Sequence, residues 1–418
     1  MSDNAAASQA RDIALRLRDG NGAVQFLSET HRSCDALHYP TLFPAGDNGW
    51  HLQLFRNVPQ QQQRQRASQF VDNAASASSQ ADRRVSPREY YAYRLQQRST
   101  SADILFQAQR LFQEFCCFSW VKTETNKLNF LRHNQTQLRA ELYSNLRDHV
   151  LASDAGPVGR VGIPVILPAT FTGSPRDLHG RYQDAMAVVR KHGKPDLFIT
   201  FTCNPRHPDI MENLLPHQQP QDRPDIVARV FKGQVEELLD DLKVKHIFGR
   251  PVALVYTIEF QQRGLPHLHL LLTLDRASKL STNDLIDKAV QAELPQREAA
   301  ALRRTVLTCL IHSPCGDINP NAACMQQGQC AKRFPKLYSD QTIWKEGDLH
   351  PSYRRRRVTD AHPWLGEPYT AAGRPCYIDS RNVVPFNAYL TSKYGSHINV
   401  ECCNSVKACK YLFCLQGT

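Results

Sequence analysis

The stretch Glu259-Phe260-Gln261-Gln262-Arg263-Gly264-Leu265-Pro266-His267-Leu268-His269-Leu270-Leu271-Leu272 constrains this chain more than any other. Side chains alternate faces along a strand, so His267 and His269 share one face while Leu268 and Leu270 enter the opposite one. Arg263-Gly264-Leu265-Pro266 carries turn chemistry, which folds the preceding strand back as a hairpin partner. With Gln261 opposite His267, Glu259 falls opposite His269 and brings a carboxylate beside both imidazoles. A one-residue slip would turn that carboxylate to the other face. Two histidines and a carboxylate make a half-open site for a divalent ion, leaving positions for water and a phosphate oxygen. Hydrogen-bonded, half-buried histidines are the other reading of the same pattern. A closed zinc fold is disfavoured, since the same elements offer no fourth ligand.

Short apolar runs bounded by Gly and Pro surround this hairpin: Val161 to Leu167, Leu197 to Phe201, Val252 to Phe260 and His269 to Leu274. Helical patterns over Leu178 to His192 and Ile226 to Leu242 lie between them, which predicts an α/β or α+β domain. Upstream, Arg88 to about Ala152 repeats apolar residues at three- and four-residue spacing, as in Leu105, Ala108, Leu111 and Phe112 and in Leu138, Leu142, Leu146 and Val150. A helical hairpin is predicted there. Residues 59–87 are rich in Gln, Ser, Ala and Arg and too poor in apolar side chains to bury a core, so they read as a flexible linker. Residues 1–58 read as a loop-rich docking segment with aromatic anchors at His38 to Phe43 and at Trp50.

With 418 residues, 41% of them hydrophobic, the chain is long enough for two or three domains with real cores. A formal net charge of +11 favours a polyanionic partner such as nucleic acid, although many basic proteins share that balance. No apolar run approaches the roughly 20 residues of a membrane helix and no signal peptide opens the chain, so an intracellular protein is expected. The 13 cysteines then read as free thiols and metal ligands, with the adjacent pairs Cys116-Cys117 and Cys402-Cys403 as buried small side chains. His312, Cys315, Cys324 and Cys330 offer four soft ligands at loop-compatible spacing. A structural zinc ion and simple buried thiols are both open there. Arg354 to Arg357, and Lys332, Arg333 and Lys336 after the cysteine cluster, read as phosphate contacts, solvated loops or a nuclear-import signal.

Thr200-Phe201-Thr202-Cys203-Asn204-Pro205, together with Glu259 to His269, resembles the first two motifs of rolling-circle replication initiators, the HUH endonucleases. Longer strings are more specific: Arg88 to Arg94, Tyr182 to Ala187, Lys194 to Thr200 and His397-Ile398-Asn399-Val400-Glu401 look like the Helitron helicase-like (Rep) region of eukaryotic rolling-circle transposons. The resemblance runs from about Asp35 to Phe413. It implies an α+β fold with a central, largely antiparallel Rep-type sheet flanked by helices, spanning 156–311 with the metal site, a Cys/His cluster at 312–340 and a C-terminal part at 341–418. The helical region 88–155 precedes them.

The resemblance further implies a nuclear enzyme that nicks single-stranded DNA at a transposon end, using Mg²⁺ or Mn²⁺ and a tyrosine nucleophile. Glu259, His267 and His269 correspond to the metal ligands, Thr202 and Asn204 lie near the DNA, and Tyr411 matches the first nucleophilic tyrosine, with Lys407 and Lys410 as DNA-binding residues. The family pattern continues with a lysine and a second tyrosine, where this chain has Cys414 and Leu415. That departure, followed by the chain end at Thr418, points to a truncated copy or an out-of-frame gene model, and leaves an inactive DNA-binding remnant as the alternative function. A zinc-stabilised protein-interaction module is a third. The ATP-driven helicase that follows in the family has no counterpart here, since no Gly-x-x-x-x-Gly-Lys-Ser/Thr loop occurs and no ATPase activity is expected.

Overall fold

The computed structural model describes residues 12–16, 24–56, 84–98, 103–135, 167–261, 264–344, 348 and 350–403. The chain divides into two compact units, Met1–Leu167 with Gln221–Arg223, and Pro168–Pro220 with Pro224–Thr418. The predicted second helical arm (Leu138 to Val150), the strand at 161–166 and most of the linker lie outside the described residues.

In the first unit, β1 (Ile13–Arg16) and β2 (Val24–Leu27) pair antiparallel, so the N-terminal segment carries a small hairpin where only loop was expected. Among the described residues the helices α1 (Cys34–His38), α2 (Pro87–Arg94), α3 (Ile104–Gln107) and α4 (Arg110–His133) follow. Helix α2 starts where Ser86 accepts from the Glu89 N–H and Pro87 occupies the first turn, where its missing donor costs nothing. Tyr39, Leu42, Phe43 and Trp50 pack with Tyr91, Leu105, Phe106, Phe112 and Phe115 in one core. The N-terminal aromatic anchors are thus part of the helical unit's own interior. Within it Lys122 Nζ lies 2.8 Å from Asp35 Oδ1, both side chains buried, and the Tyr91 hydroxyl donates to the same carboxylate. Of the adjacent cysteines here, Cys117 is exposed, contrary to the expectation of burial. It lies on the solvent side of α4.

The second unit is built on a four-stranded antiparallel sheet. Its strands are β3 (Leu197–Thr202), β4 (Pro251–Phe260), β5 (Pro266–Leu274) and β10 (His397–Cys402), in the order β10-β3-β5-β4. One face presents Ile398, Val400 and Cys402, then Leu197, Ile199 and Phe201, then Leu268, Leu270 and Leu272. Helix α7 (Pro224–Lys243) covers it with Val227, Phe231, Val235, Leu238 and Leu242. Phe201 meets Phe231 and Tyr394 with ring centroids 5.1 and 5.3 Å apart. Burying such aromatic rings makes this face the main stabiliser of the unit, and truncating one costs about 3–5 kcal/mol. On the opposite face, Met186 and Val189 of α5 (Pro175–His192) pack on Phe198, Leu271 and Val255, covering one end of the sheet and leaving the histidine end to polar side chains.

The remaining elements of this unit are α6 (Pro208–Met211), α8 (Asn283–Ala289), α9 (Ala300–Cys309), α10 (Ala388–Tyr394) and the two-residue strands β6 (Met325–Gln326) and β7 (Gln329–Cys330). A hairpin of β8 (Gly366–Ala371) and β9 (Arg374–Asp379) completes it. Gly395 ends α10 with φ +53°, a left-handed turn that reverses the chain directly into β10. In the basic run 354–357 only Arg355 is internal; Arg354 and Arg356 are partly exposed and Arg357 is exposed. Arg355 is buried and donates to the carbonyls of Ala292, Ser380 and Val383, and Arg354 and Arg356 pair with Asp287 and Glu293. Neither a phosphate contact nor a solvated loop describes Arg355, because interior carbonyls already occupy its donors. Among the described residues no helix is long and apolar enough to cross a membrane.

Candidate metal centre

The sheet register sets the site. Glu259 stands opposite His267 and Thr257 opposite His269, two residues away from the expected pairing. The shift follows from Pro266, which heads β5 opposite Phe260. Proline is tolerated at the first residue of a strand because no ladder bond needs its absent N–H. The connection is closed by Gln261 N–H donating to Leu265 O at 3.0 Å, with Gly264 at φ +79° making the reversal. A shift of two keeps every side chain on its face, so the carboxylate still meets the imidazoles.

Two cross-sheet rows result. His397, Thr202, His267 and Glu259 form one, and Asn399, Thr200, His269 and Thr257 form the next. Glu259 Oε1 lies 3.0 Å from His269 Nε2, and the His267 and His269 rings meet edge to face with centroids 4.5 Å apart. One ligand atom from each of Glu259, His267 and His269 falls within 4.8 Å of the others. Thr202 Oγ1 sits 2.7 Å from His267 Nδ1, which fixes that ring and leaves Nε2 as its ligating atom. Burial first, then the neighbouring His269 and His397, lower the His267 pKa to about 3, so the imidazole stays neutral and keeps a lone pair for a cation. His269 is stacked on Phe198 with planes 12° apart. Neighbouring ligands on an octahedral ion with bonds of ~2.0–2.1 Å stand roughly 3 Å apart, the separation seen between Glu259 and His269. Three ligands on rigid strands with one partly exposed carboxylate fit an ion whose remaining positions stay open.

Residues 90–272 match the family described as the Helitron helicase-like domain at the N-terminus. This stretch carries a Helitron helicase-like domain. It holds β3, β4 and β5 and with them all three ligands, while β10 follows it in the chain. A search of curated proteins finds no match.

Around the Helitron helicase-like domain the other expected residues are placed as follows. Asn204, just past β3, donates from Nδ2 to Gly395 O at 2.8 Å and accepts from the Arg206 N–H, tying the end of β3 to the turn before β10. Tyr411, Lys407 and Lys410 lie outside the described residues. His397, Thr200, Thr257 and Asn399 were not singled out as site residues from the sequence. The alternation His397-x-Asn399-x-Glu401 was the available signal, since it puts polar side chains on the histidine face of β10. His397 Nδ1 donates to Cys309 O at 2.8 Å, and burial lowers its pKa.

A second cluster lies downstream of the matched stretch. His312, Cys315, Cys324 and Cys330 bring one ligand atom each within 4.8 Å of the others. His312 Nε2 is 3.4 Å from Cys330 Sγ and 3.7 Å from Cys315 Sγ. A tetrahedral zinc with Zn–S of ~2.3 Å and Zn–N of ~2.0–2.1 Å separates sulfur and nitrogen by roughly 3.5 Å, so the set is compatible with a zinc site. At Cys330 burial opposes ionisation, but the backbone N–H groups of Phe334 and Lys332, with hydrogen bonds from Cys315 and Cys324, outweigh it and lower the pKa. Burial first, then the thiols of Cys324 and Cys330, push Cys315 up to about 12. His312 stacks on Phe334 with ring centroids 4.2 Å apart, and its backbone N–H donates to Asn382 O.

Proposed function

We propose that this chain is a metal-dependent endonuclease and strand transferase that uses a tyrosine to cut and rejoin single-stranded DNA at transposon ends. The supporting observation is the joining of Glu259, His267 and His269 on one polar sheet face inside a Helitron helicase-like domain. Glu259, His267 and His269 hold a divalent ion, Mg²⁺ or Mn²⁺, which when bound supplies Lewis acidity at the scissile phosphate. Thr202 holds the His267 ring in its ligating tautomer, and Asn204 keeps the adjoining turn in place near the DNA.

Tyr411 is assigned as the nucleophile. Its phenol oxygen bonds to phosphorus, the bond from phosphorus to the 3′-oxygen breaks, and that oxygen leaves as a 3′-hydroxyl after taking up a proton, the phenol proton passing to solvent. A phenol with an ordinary pKa of ~10 needs positive charge nearby, which is assigned to Lys407, close before it in sequence, while Lys410 is assigned to phosphate. Rejoining is the reverse attack by a 3′-hydroxyl. The Cys/His cluster takes a structural zinc ion. Such a protein would act in the nucleus. Cys414 and Leu415, where the family has Lys and a second Tyr, favour a second reading, an inactive remnant that only holds DNA.

The test is incubation with labelled single-stranded DNA and Mn²⁺, Mg²⁺ or chelator, beside Tyr411→Phe and His267→Ala. A covalent protein–DNA adduct that requires metal and disappears in both variants supports the enzyme. Binding without adduct under every metal condition supports the remnant.

A further inference from the structure

Beside the Cys/His cluster, β6 and β7 form a hairpin whose turn is Gln327-Gly328. Gln326, Gln327, Gln329, Cys330, Ala331 and Arg333 line a hollow of about 490 Å³ at this hairpin, within the ~300–1,000 Å³ range of small-molecule sites. Its lining is mainly polar: beside Cys330 and Ala331 stand three side-chain amides, each offering both donors and an acceptor, and one guanidinium. No carboxylate lines it, so the charge it presents is positive.

Backbone conformation singles out the same residues. Among the described non-glycine residues only Gln109, His246, Gln327, Arg333 and Ala372 have positive φ, and two of these five, Gln327 at +50° and Arg333 at +55°, line this one hollow. At Gln327-Gly328 the two-residue hairpin turn itself requires positive φ at both positions, so these angles fix the turn that carries Gln326 and Gln329. Backbone hydrogen bonds anchor this segment: Ala331 N–H donates to Cys324 O at 2.8 Å, and Arg333 N–H donates to Cys330 O at 2.8 Å. Lys336 Nζ lies 4.7 Å from the Phe334 ring that backs His312, and its backbone N–H donates to Arg381 O.

We infer that this hollow is a nucleotide subsite of single-stranded DNA, with Arg333 on a phosphate and Gln327 and Gln329 on base edges, separate from the histidine-carboxylate site. Amides pair with the donor and acceptor edges of unstacked bases, and a guanidinium forks onto phosphate oxygens. The inference does not require cleavage, because DNA is held here whether or not it is cut.

The test is binding of a fluorescent mixed-sequence oligodeoxynucleotide by the full chain across a salt series, with zinc content measured in parallel. Arg333→Ala is expected to reduce the slope of log affinity on log salt by ~0.7, the value for one phosphate on a single strand. Arg333→Lys is expected to restore that slope. Gln327→Ala with Gln329→Ala is expected to lower affinity ~3–10-fold with the slope unchanged, as for lost base contacts. All variants should keep the zinc content of the unaltered chain. Unchanged affinity and slope in all three, with zinc retained, would overturn the subsite and leave the nuclease reading standing. Absence of adduct in the unaltered chain would count against the nuclease reading alone.

Discussion

The two ligand clusters gather their atoms within the same 4.8 Å, yet they are built in opposite ways. Glu259, His267 and His269 stand on adjacent strands of a hydrogen-bonded ladder, three ligands with a fixed spacing and a partly exposed carboxylate. His312, Cys315, Cys324 and Cys330 come from loops and a two-residue hairpin, four ligands of which three are thiols. Rigid strands position an incomplete set that leaves room for substrate oxygens, whereas a complete soft set can organise loops that have little core of their own. In the first the fold makes the site, and in the second a bound zinc ion would tie the loops together.

If this contrast holds, altering one cluster should leave the other intact. The largest effect is expected at the open site, where His267→Ala or Glu259→Gln should lower adduct formation about 10³-fold, the loss of several kcal/mol of charge stabilisation, with zinc content unchanged by elemental analysis. Next, Cys330→Ser should release zinc and lower the unfolding temperature by about 6–12 °C, taking the lost anchor at ~3 kcal/mol, while Mn²⁺ affinity at the other site stays within about threefold. Thr202→Val removes the partner of His267 Nδ1 and should weaken Mn²⁺ binding by ~10–100-fold in a titration, again without loss of zinc.

The smallest effect concerns pH. His267 has its folded pKa lowered to about 3 from an ordinary 6.5. Between these values the unfolded chain binds a proton that the folded chain refuses, so the residue's contribution to stability is present above about 6.5 and lost as pH falls toward 3. In metal-free buffer, His267→Gln should therefore lose less stability than the unaltered chain between pH 6.5 and 4, measured as the shift in urea midpoint.

How much of this was legible in the sequence depends on which interactions carry the signal. Period-two alternation exposed the histidine pair, and the apolar runs located β3, β4 and β5 to within three residues, because a strand's faces are written directly in its sequence. The register was missed by two residues because the position of Pro266, at the head of the strand or in the turn, is decided by which backbone donors close the loop. Arg355 was misread since a charged run looks the same whether water or interior carbonyls receive it. Asp35 and Lys122 lie 87 residues apart and carry no local signature at all. The four soft ligands were legible as residue types, but their convergence depends on a loop path that spacing does not fix.

The most direct test of the contrast, and of the chemistry built on it, is to expose the unaltered chain briefly to chelator, measure retained zinc and adduct formation on single-stranded DNA, then add Mn²⁺. The account predicts about one zinc retained per chain, adduct lost in chelator and restored by Mn²⁺. Adduct that forms in chelator, or that Mn²⁺ fails to restore while zinc is retained, would contradict it.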